Sequence, residues 1–522
     1  MNLDDLLQAV QELLSADSPK AVMRVIQNHP DLLREEAIDQ LHQLAQMAKA
    51  EGYTEFAEVL TNIAELLKLL RRKLLSSQLS EAEPTISLSP EPSAQWARLT
   101  RQYLALRKRE LLQQAVEIAE QAGEKSIVNL LRAFQELNIE TIGRLAPDLH
   151  RAFLEAGREE EALTVALVRL DTRERLTEEF MNFPLEQQME ALKVGLEACE
   201  EAVAIARALG DEPCVAFYRV LAGNGYYRAR QFYEAEGAYK EALGIYRRLA
   251  EKEPQVYEPD LAMTLNNLGN VLSEMRRFDE AEGAYKEALG IYRRLAKQQP
   301  QVYEPYLATT LNNLGNLLRD LRRFEEAERA YREALEICRR LAGREPQVYE
   351  PYLAGTLNGL GNVLSDLRRF EEAEGAFKEA LGICRRLAER EPQVYEPDLA
   401  GTLNNLGAVL SDLRRFEEAE GTFRDALEIY RRLAKREPQV YEPDLAGTLN
   451  NLGNLLRDLR RFEEAERAYR EAQKIYHRHD VPDQKAVLLS NLGRLQVEQE
   501  RWEEAVETLR EAVAQVERLR AE

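Results

Sequence analysis

Asparagine is the residue whose placement most invites a chemical reading. It recurs in pairs, Asn266 with Asn270, Asn312 with Asn316, Asn358 with Asn362 and Asn450 with Asn454, while Asn404 stands opposite Ala408. Each primary amide carries two donors and an acceptor. A row of them can therefore satisfy the N–H and C=O groups of an extended peptide whatever its side chains are. Arg319 and Arg457 lie nearby, fitted to meet an acidic group of a ligand or to pair with the acids beside them, Asp320 and Asp458; pairing is the favoured reading. His477, His479, Asp480 and Asp483 crowd together without regular ligand spacing, so no metal is expected there. Tyr257, Tyr303, Tyr349, Tyr395 and Tyr441 form a second row, read either as a binding row or as loop residues packing on the next hairpin. Cys338 and Cys384 stand where other units have Tyr292 or Tyr430 and read as core substitutes, not nucleophiles. The chain has neither a phosphate-cradling glycine loop ending in Lys-Ser or Lys-Thr nor a His-Glu pair at zinc-protease spacing. No catalytic residue, metal or cofactor is expected, and the protein is read as a non-enzyme.

The elements that position the asparagines follow from a repeat. Val-Tyr-Glu-Pro begins at 256, 302, 348, 394 and 440, steps of 46 residues. A glycine recurs in step at Gly269, Gly315, Gly361, Gly407 and Gly453, with degenerate copies at Gly223 and Gly493. Leu261, Leu265, Leu268, Leu272 and Met275 make one helical stripe, and Phe278, Ala281, Tyr285, Ala288, Tyr292 and Leu295 make another beyond the Arg276-Arg277 turn. A loop at 298–302 with Pro300 ends the second helix, and Pro305 suits the first turn of the next. Each unit is thus a helical hairpin, helix A then helix B, and hairpins must stack to bury both stripes. At about 100° per residue, Met263, Asn266, Asn270, Ser273 and Glu274 share the outward side of helix A. Helix B fills its outward positions with long charged residues such as Glu280, Lys286, Glu287, Arg293 and Arg294. Asparagine is a poor helix former, so something other than solubility selects it on helix A. Around the ladder the positions vary: Met263, Thr309, Gly355, Gly401 and Gly447 at one, Ser273, Arg319, Ser365, Ser411 and Arg457 at another. Small residues there open space for ligand side chains.

The order Leu268-Gly269, Ala281, Tyr285, Ala288 resembles the tetratricopeptide repeat. The Thr-Leu-Asn-Asn-Leu core and Glu280-Ala281-Glu282 are similar to its kinesin-light-chain variety. The unit departs from the family's usual length of about 34 residues: Arg293 replaces the expected proline, and helix B runs on. The resemblance covers roughly residues 186–518. It implies an all-α, right-handed superhelical solenoid of helical hairpins, with helix A on the concave side and a protein or peptide as ligand.

The remaining chain reads as a small helical bundle over 1–76, a Ser-, Pro- and Glu-rich linker over 77–95, and an irregular helical capping region over 96–185 before the array. Val25 to Leu33 resembles a short helical module preceding repeats in bacterial chains that end in a caspase-like peptidase; such a peptidase would be a separate partner here. The last unit, with Trp502 for Phe462 and a polar end, reads as a terminal cap. A formal charge of −21 argues against nucleic acid or an anionic membrane as main partner. Four unpaired cysteines fit a reducing cytoplasm. The expected functions, in order, are a peptide-binding adaptor, a regulatory or sensor subunit of a separate effector enzyme, and a scaffold self-assembling into homo-oligomers.

Overall fold

The computed structural model describes residues 95–521 apart from 123, 137–138, 157, 180–184 and 480, with isolated positions before residue 65. The expected N-terminal bundle and linker, including the Val25–Leu33 resemblance, lie outside the described residues save for those positions. The fold is an all-helical solenoid, and the chain divides into two compact units, residues 1–249 and 250–522.

Within the first unit run α1 (Gln95–Leu106), α2 (Arg109–Gln121), α3 (Lys125–Gln135), α4 (Ile139–Glu155), α5 (Glu159–Glu179), α6 (Leu185–Ala208), α7 (Glu212–Arg228) and α8, which begins at Phe232 and continues to Lys252. Its core is tied by buried ion pairs absent from the sequence reading. Arg101, 8% exposed, donates to Thr164 Oγ1 at 2.8 Å and to Asp211 Oδ2 at 3.1 Å. Arg107 pairs with the fully buried Asp171, which also accepts the Tyr218 hydroxyl at 3.3 Å. Each buried charge has a partner, the condition under which burial is tolerated.

The second unit is a stack of hairpins: α9 (Pro254–Glu274) with α10 (Phe278–Gln298), α11 (Pro300–Asp320) with α12 (Phe324–Arg344), α13 (Pro346–Asp366) with α14 (Phe370–Arg390), α15 (Pro392–Asp412) with α16 (Phe416–Arg436), α17 (Pro438–Asp458) with α18 (Phe462–Tyr476), and α19 (Pro482–Glu498) with α20 (Trp502–Ala521). The predicted stripes are its core. Leu265, Leu272, Tyr285, Ala288 and Tyr292 are all at most 2% exposed.

Helix A starts earlier than the sequence indicated. Pro300, not Pro305, is its first residue, and the expected loop shrinks to Gln299 alone. Proline at N1 loses only an amide that has no intrahelical partner, and the Gln299 carbonyl takes the Val302 and Tyr303 amides at 3.2 and 3.1 Å. Pro305 lies inside the helix. The tyrosine row is therefore helical, Tyr303 and its equivalents standing in the first turn of each helix A rather than in a loop.

At the other end of helix A the chain turns through a left-handed residue. The Arg323 amide reaches the Leu318 carbonyl at 2.8 Å and the Arg322 amide reaches that of Arg319 at 2.9 Å, a Schellman closure with Arg322 at φ 58°. Arg230, Arg276, Arg368, Arg414 and Arg460 repeat it at φ 57–60°. A Cβ in this region costs about 1–2 kcal/mol, and glycine's greater unfolded-state freedom offsets part of what its use would gain. Arg322→Gly is thus expected to stabilise the array by about 0.5–1 kcal/mol, read as a higher denaturant midpoint at unchanged slope. A lower midpoint would mean that the exposed Arg322 side chain contributes more than its backbone costs.

The charged face of helix B is a set of clamps. Arg323 grips Glu326 one turn on with both Nε and Nη2 at 2.7 Å, and its Nη1 reaches back to Glu282 on the preceding hairpin at 2.7 Å. Arg369 repeats this with Glu372 and Glu328, Arg415 with Glu418 and Glu374, and Arg461 with Glu464 and Glu420. Other outward charges are also committed: Lys286 to Glu282, Arg294 to Glu258 on its own helix A, and Arg293 to Glu333 on the next helix B, all at 2.7–2.8 Å.

The hairpin of α19 and α20 exposes apolar as well as polar residues. Trp502, Val506, Leu509, Val513 and Val516 of α20 are 38–59% exposed and fall at steps of four, three, four and three. The α20 helix therefore presents an apolar stripe beside the exposed Glu507, Arg510 and Arg518 of its expected polar end.

Candidate peptide-binding face of helix A

The asparagines do lie in register, half-buried except for the exposed Asn316, but much of their hydrogen-bonding capacity serves the array itself. They split into two rows with different duties. In the second row, Asn270 Oδ1 accepts the Tyr285 hydroxyl at 2.7 Å and Asn454 Oδ1 that of Tyr469 at 2.7 Å; Asn316 takes Tyr331 in the same way. Each such bond anchors a buried helix-B ring and leaves the amide N–H pair of Asn270, Asn316 and Asn454 without a partner among the described residues. In the hairpin of Asn362 that tyrosine is replaced by Phe377, so its whole amide is unpartnered among the described residues.

The first row links neighbouring A helices. Asn266 Oδ1 accepts from Asn313 at 3.0 Å, Asn404 Oδ1 from Asn451 at 3.0 Å and Asn450 Oδ1 from Asn491 at 2.9 Å. Asn312 and Asn358 behave differently: each donates Nδ2 to a buried threonine of the next unit, Thr356 and Thr402, at 2.8 Å. Their Oδ1 atoms are buried with no donor. After Asn312 the cause is visible, because the next unit has Gly359 where its equivalents are asparagine. A Cβ there would stand 2.4 Å from the Tyr331 ring.

Both predicted arginines are paired. Arg319 Nε meets Asp366 of the following unit at 2.6 Å, not its neighbour Asp320. Arg457, 7% exposed, holds Asp458 at 2.9 Å and lies 3.8 Å from Glu498. Neither arginine is free for an acidic ligand group.

The other candidates settle as follows. His479 Nε2 lies 2.8 Å from Glu442 Oε2, and no group of three or more possible metal ligands exists among the described residues. Cys338 and Cys384 are buried, each 1% exposed, with Sγ within 3.5 and 3.7 Å of Thr356 and Thr402 Oγ1; burial pushes both thiols up. No helix among the described residues is long and apolar enough to cross a membrane.

The recurring glycine explains how the hairpin closes. A Cβ at Gly269 would stand 2.5 Å from Tyr285 Cε1, and one at Gly361 2.7 Å from Phe377 Cε1. The helix-B ring therefore lies flat against the helix-A backbone. Models of the tetratricopeptide repeat match residues 261–299, 306–386, 352–432, 404–476 and 444–518. Residues 261–518 are built of tetratricopeptide repeats.

Among solved structures this tetratricopeptide-repeat chain is similar to the apo form of RapI, at 15% identity and a TM-score of 0.52, over 76% of this chain and 98% of that one. It is also similar to BtubC (BKLC) from P. vanneervenii, at 25% identity, 47% and 90% coverage and a TM-score of 0.35. The Rap conjugation gene regulator of plasmid pLS20 in complex with the Phr* peptide gives 14% identity, 72% and 96% coverage and a TM-score of 0.41. The RapI likeness supports the superhelical fold. No curated protein matches the chain.

Sequence reasoning missed the arginine clamps, the threonine acceptors and the tyrosine–asparagine bonds. The clamps had a signal: arginine followed by glutamate three residues on, with a second glutamate 41 residues before it, recurs through the units. The threonine of Thr-Leu-Asn-Asn-Leu was legible as buried, but its role as acceptor across the unit boundary depends on helix spacing.

Proposed function

We propose that the protein is a non-catalytic interaction scaffold that holds an extended peptide segment of a partner along the A-helix face of α9, α11, α13, α15 and α17. The supporting observation is the break in the first asparagine row. Lateral amide bonds satisfy Asn266, Asn404 and Asn450, whereas the carbonyls of Asn312 and Asn358 in mid-array have no donor. An unmet buried carbonyl costs about 1–3 kcal/mol, and a peptide N–H relieves it once the amide swings outward from its threonine, a move that no lateral amide bond opposes at Asn312 and Asn358. The amide hydrogens of Asn270, Asn316, Asn362 and Asn454 serve peptide carbonyls alongside. Backbone would be gripped by amides, and side-chain preference set by the variable positions.

The test is selection from a random decapeptide library with the intact protein and with a variant carrying leucine at Asn312, Asn316, Asn358 and Asn362, both shown folded by circular dichroism. Peptides retained by the intact protein and lost by the variant are the expected result. Equal retention by both would remove the asparagines from the binding face.

The apolar stripe of α20 favours a second activity, self-association. Trp502, Val506, Leu509, Val513 and Val516 follow the seam of a coiled coil, so a second copy of the same helix is a matching partner. Sedimentation should then show a dimer that Val506→Glu with Val513→Glu converts to monomer. A wild-type monomer at high concentration would remove this reading.

A further inference from the structure

The first outward position of helix A divides the array. It is Asp260, Tyr306, Tyr352, Asp398 and Asp444 in successive units. Tyr306 and Tyr352 are about half exposed, and Tyr306 stacks on Tyr292 at 5.7 Å. Toward the C-terminal end, carboxylates take the place of rings, and the residue one turn on is glycine in both units: Gly401 after Asp398, Gly447 after Asp444.

Those glycines open onto hydroxyls. A Cβ at Gly401 would stand 3.5 Å from the Tyr430 hydroxyl oxygen, and one at Gly447 3.7 Å from that of Tyr476. Both tyrosines are more than nine-tenths buried, at 6% and 3% exposure. The helix-B tyrosines two turns earlier in the register, such as Tyr285 and Tyr469, spend their hydroxyls on asparagines. Tyr430 and Tyr476 have no hydrogen-bond partner among the described residues, and their hydroxyls lie at the floor of the glycine gaps.

The carboxylates at the rim are also uncommitted. Asp398 and Asp444 make no ion pair among the described residues, and desolvation holds both carboxyls above the usual carboxylate range. Neighbouring cations are taken: Arg432 by Glu396, Arg431 by Glu471 and Arg478 by Glu442, at 2.7–3.0 Å. Two open acids, two buried phenol oxygens able to accept, and side-chain-free space beside each complement a thin stem ending in several N–H donors.

We propose that the α15–α17 stretch of the A-helix face is a subsite for a basic side chain of the bound segment, arginine in preference to lysine. Asp398 and Asp444 supply the charge, Tyr430 and Tyr476 the accepting oxygens, and Gly401 and Gly447 the room. The preference for arginine follows from its planar fork, which can serve a carboxylate and a phenol together. The proposal rests on the peptide-binding reading and gives the bound segment a direction: a basic residue toward α17, with the exposed rings of Tyr306 and Tyr352 facing its other end.

The test uses decapeptide pools in which one position at a time is fixed as Arg, Lys, Phe or Glu, measured against the full chain. At one position, Arg pools should bind about tenfold more tightly than Glu pools, with Lys between. Asp398→Asn with Asp444→Asn should erase that preference while the Phe preference elsewhere stays. Gly401→Leu with Gly447→Leu, which fills the gaps with a good helix former, should erase it too. Pools that bind without a basic preference, or a preference that survives both double variants, overturn the subsite alone. Absence of binding by every pool overturns the peptide reading and the subsite together.

Discussion

Replacing Gly361 by valine should lower the stability of the array by about 3 kcal/mol. Even the first added carbon would stand 2.7 Å from Phe377 Cε1 and Cζ. The ring, 1% exposed, has nowhere to retreat within a packed hairpin. Alanine would recover up to about 1 kcal/mol of helix propensity; valine recovers less and adds two more carbons to the clash. Because each hairpin contacts only its neighbours, the damage should stay local. Amide hydrogen exchange should accelerate first in α13 and α14, and the thermal transition should broaden or split. Gly375→Val is the control, since a Cβ there meets nothing within 4 Å and the change should be neutral or gain a few tenths of a kcal/mol of helix propensity. Equal midpoints for the two variants would show that Phe377 has room the geometry denies it.

Removing the arginine clamps together should cost most in cooperativity. With Arg323, Arg369, Arg415 and Arg461 all changed to alanine, a fall in melting temperature of about 5 °C is expected at neutral pH, and it should shrink in high salt. The pH dependence carries the sign. Hydrogen bonding from Arg323 holds Glu282 and Glu326 below the usual carboxylate range, Arg369 does so for Glu372, and Lys378 with Arg415 does so for Glu374. A carboxyl with a depressed folded value contributes stability above its unfolded value, about pH 4.3, and loses it as pH falls through the folded one. Wild type and variant should therefore differ at pH 7 and converge as pH falls below the unfolded value and through the depressed folded ones. A constant gap across that range would assign the effect to lost packing of the arginine stems rather than to charge.

The two tests bear on what a sequence discloses. Buried stripes, the hairpin and the stacked array were legible, because Leu265 or Tyr285 recurring with a helical period leaves one way to bury both faces. Helix ends were misplaced: Pro300 and Pro305 both suit a first turn, and only the backbone bonds to Gln299 decide between them. The asparagine ladder was located but its duties were not. Whether Asn312 meets a threonine, an amide or a ligand depends on the spacing of neighbouring A helices, and that distance is not written in any one unit. The unpartnered hydroxyls of Tyr430 and Tyr476 were invisible for the same reason. The reading of Arg319 chose the adjacent acid Asp320, whereas side chains on one helix face reach more easily to the next helix, where Asp366 lies.

The clamps also bear on how such a chain grows. Glu282 meets Arg323, Glu328 meets Arg369, Glu374 meets Arg415 and Glu420 meets Arg461, the same bond across each unit boundary. Any unit's trailing edge therefore fits any other unit's leading edge. A recombination event that duplicates or deletes a 46-residue segment keeps this clamp at every such junction, so array length can drift by whole units without losing that bond. Positions outside that clamp, such as 263 with its equivalents, are then free to diverge one unit at a time.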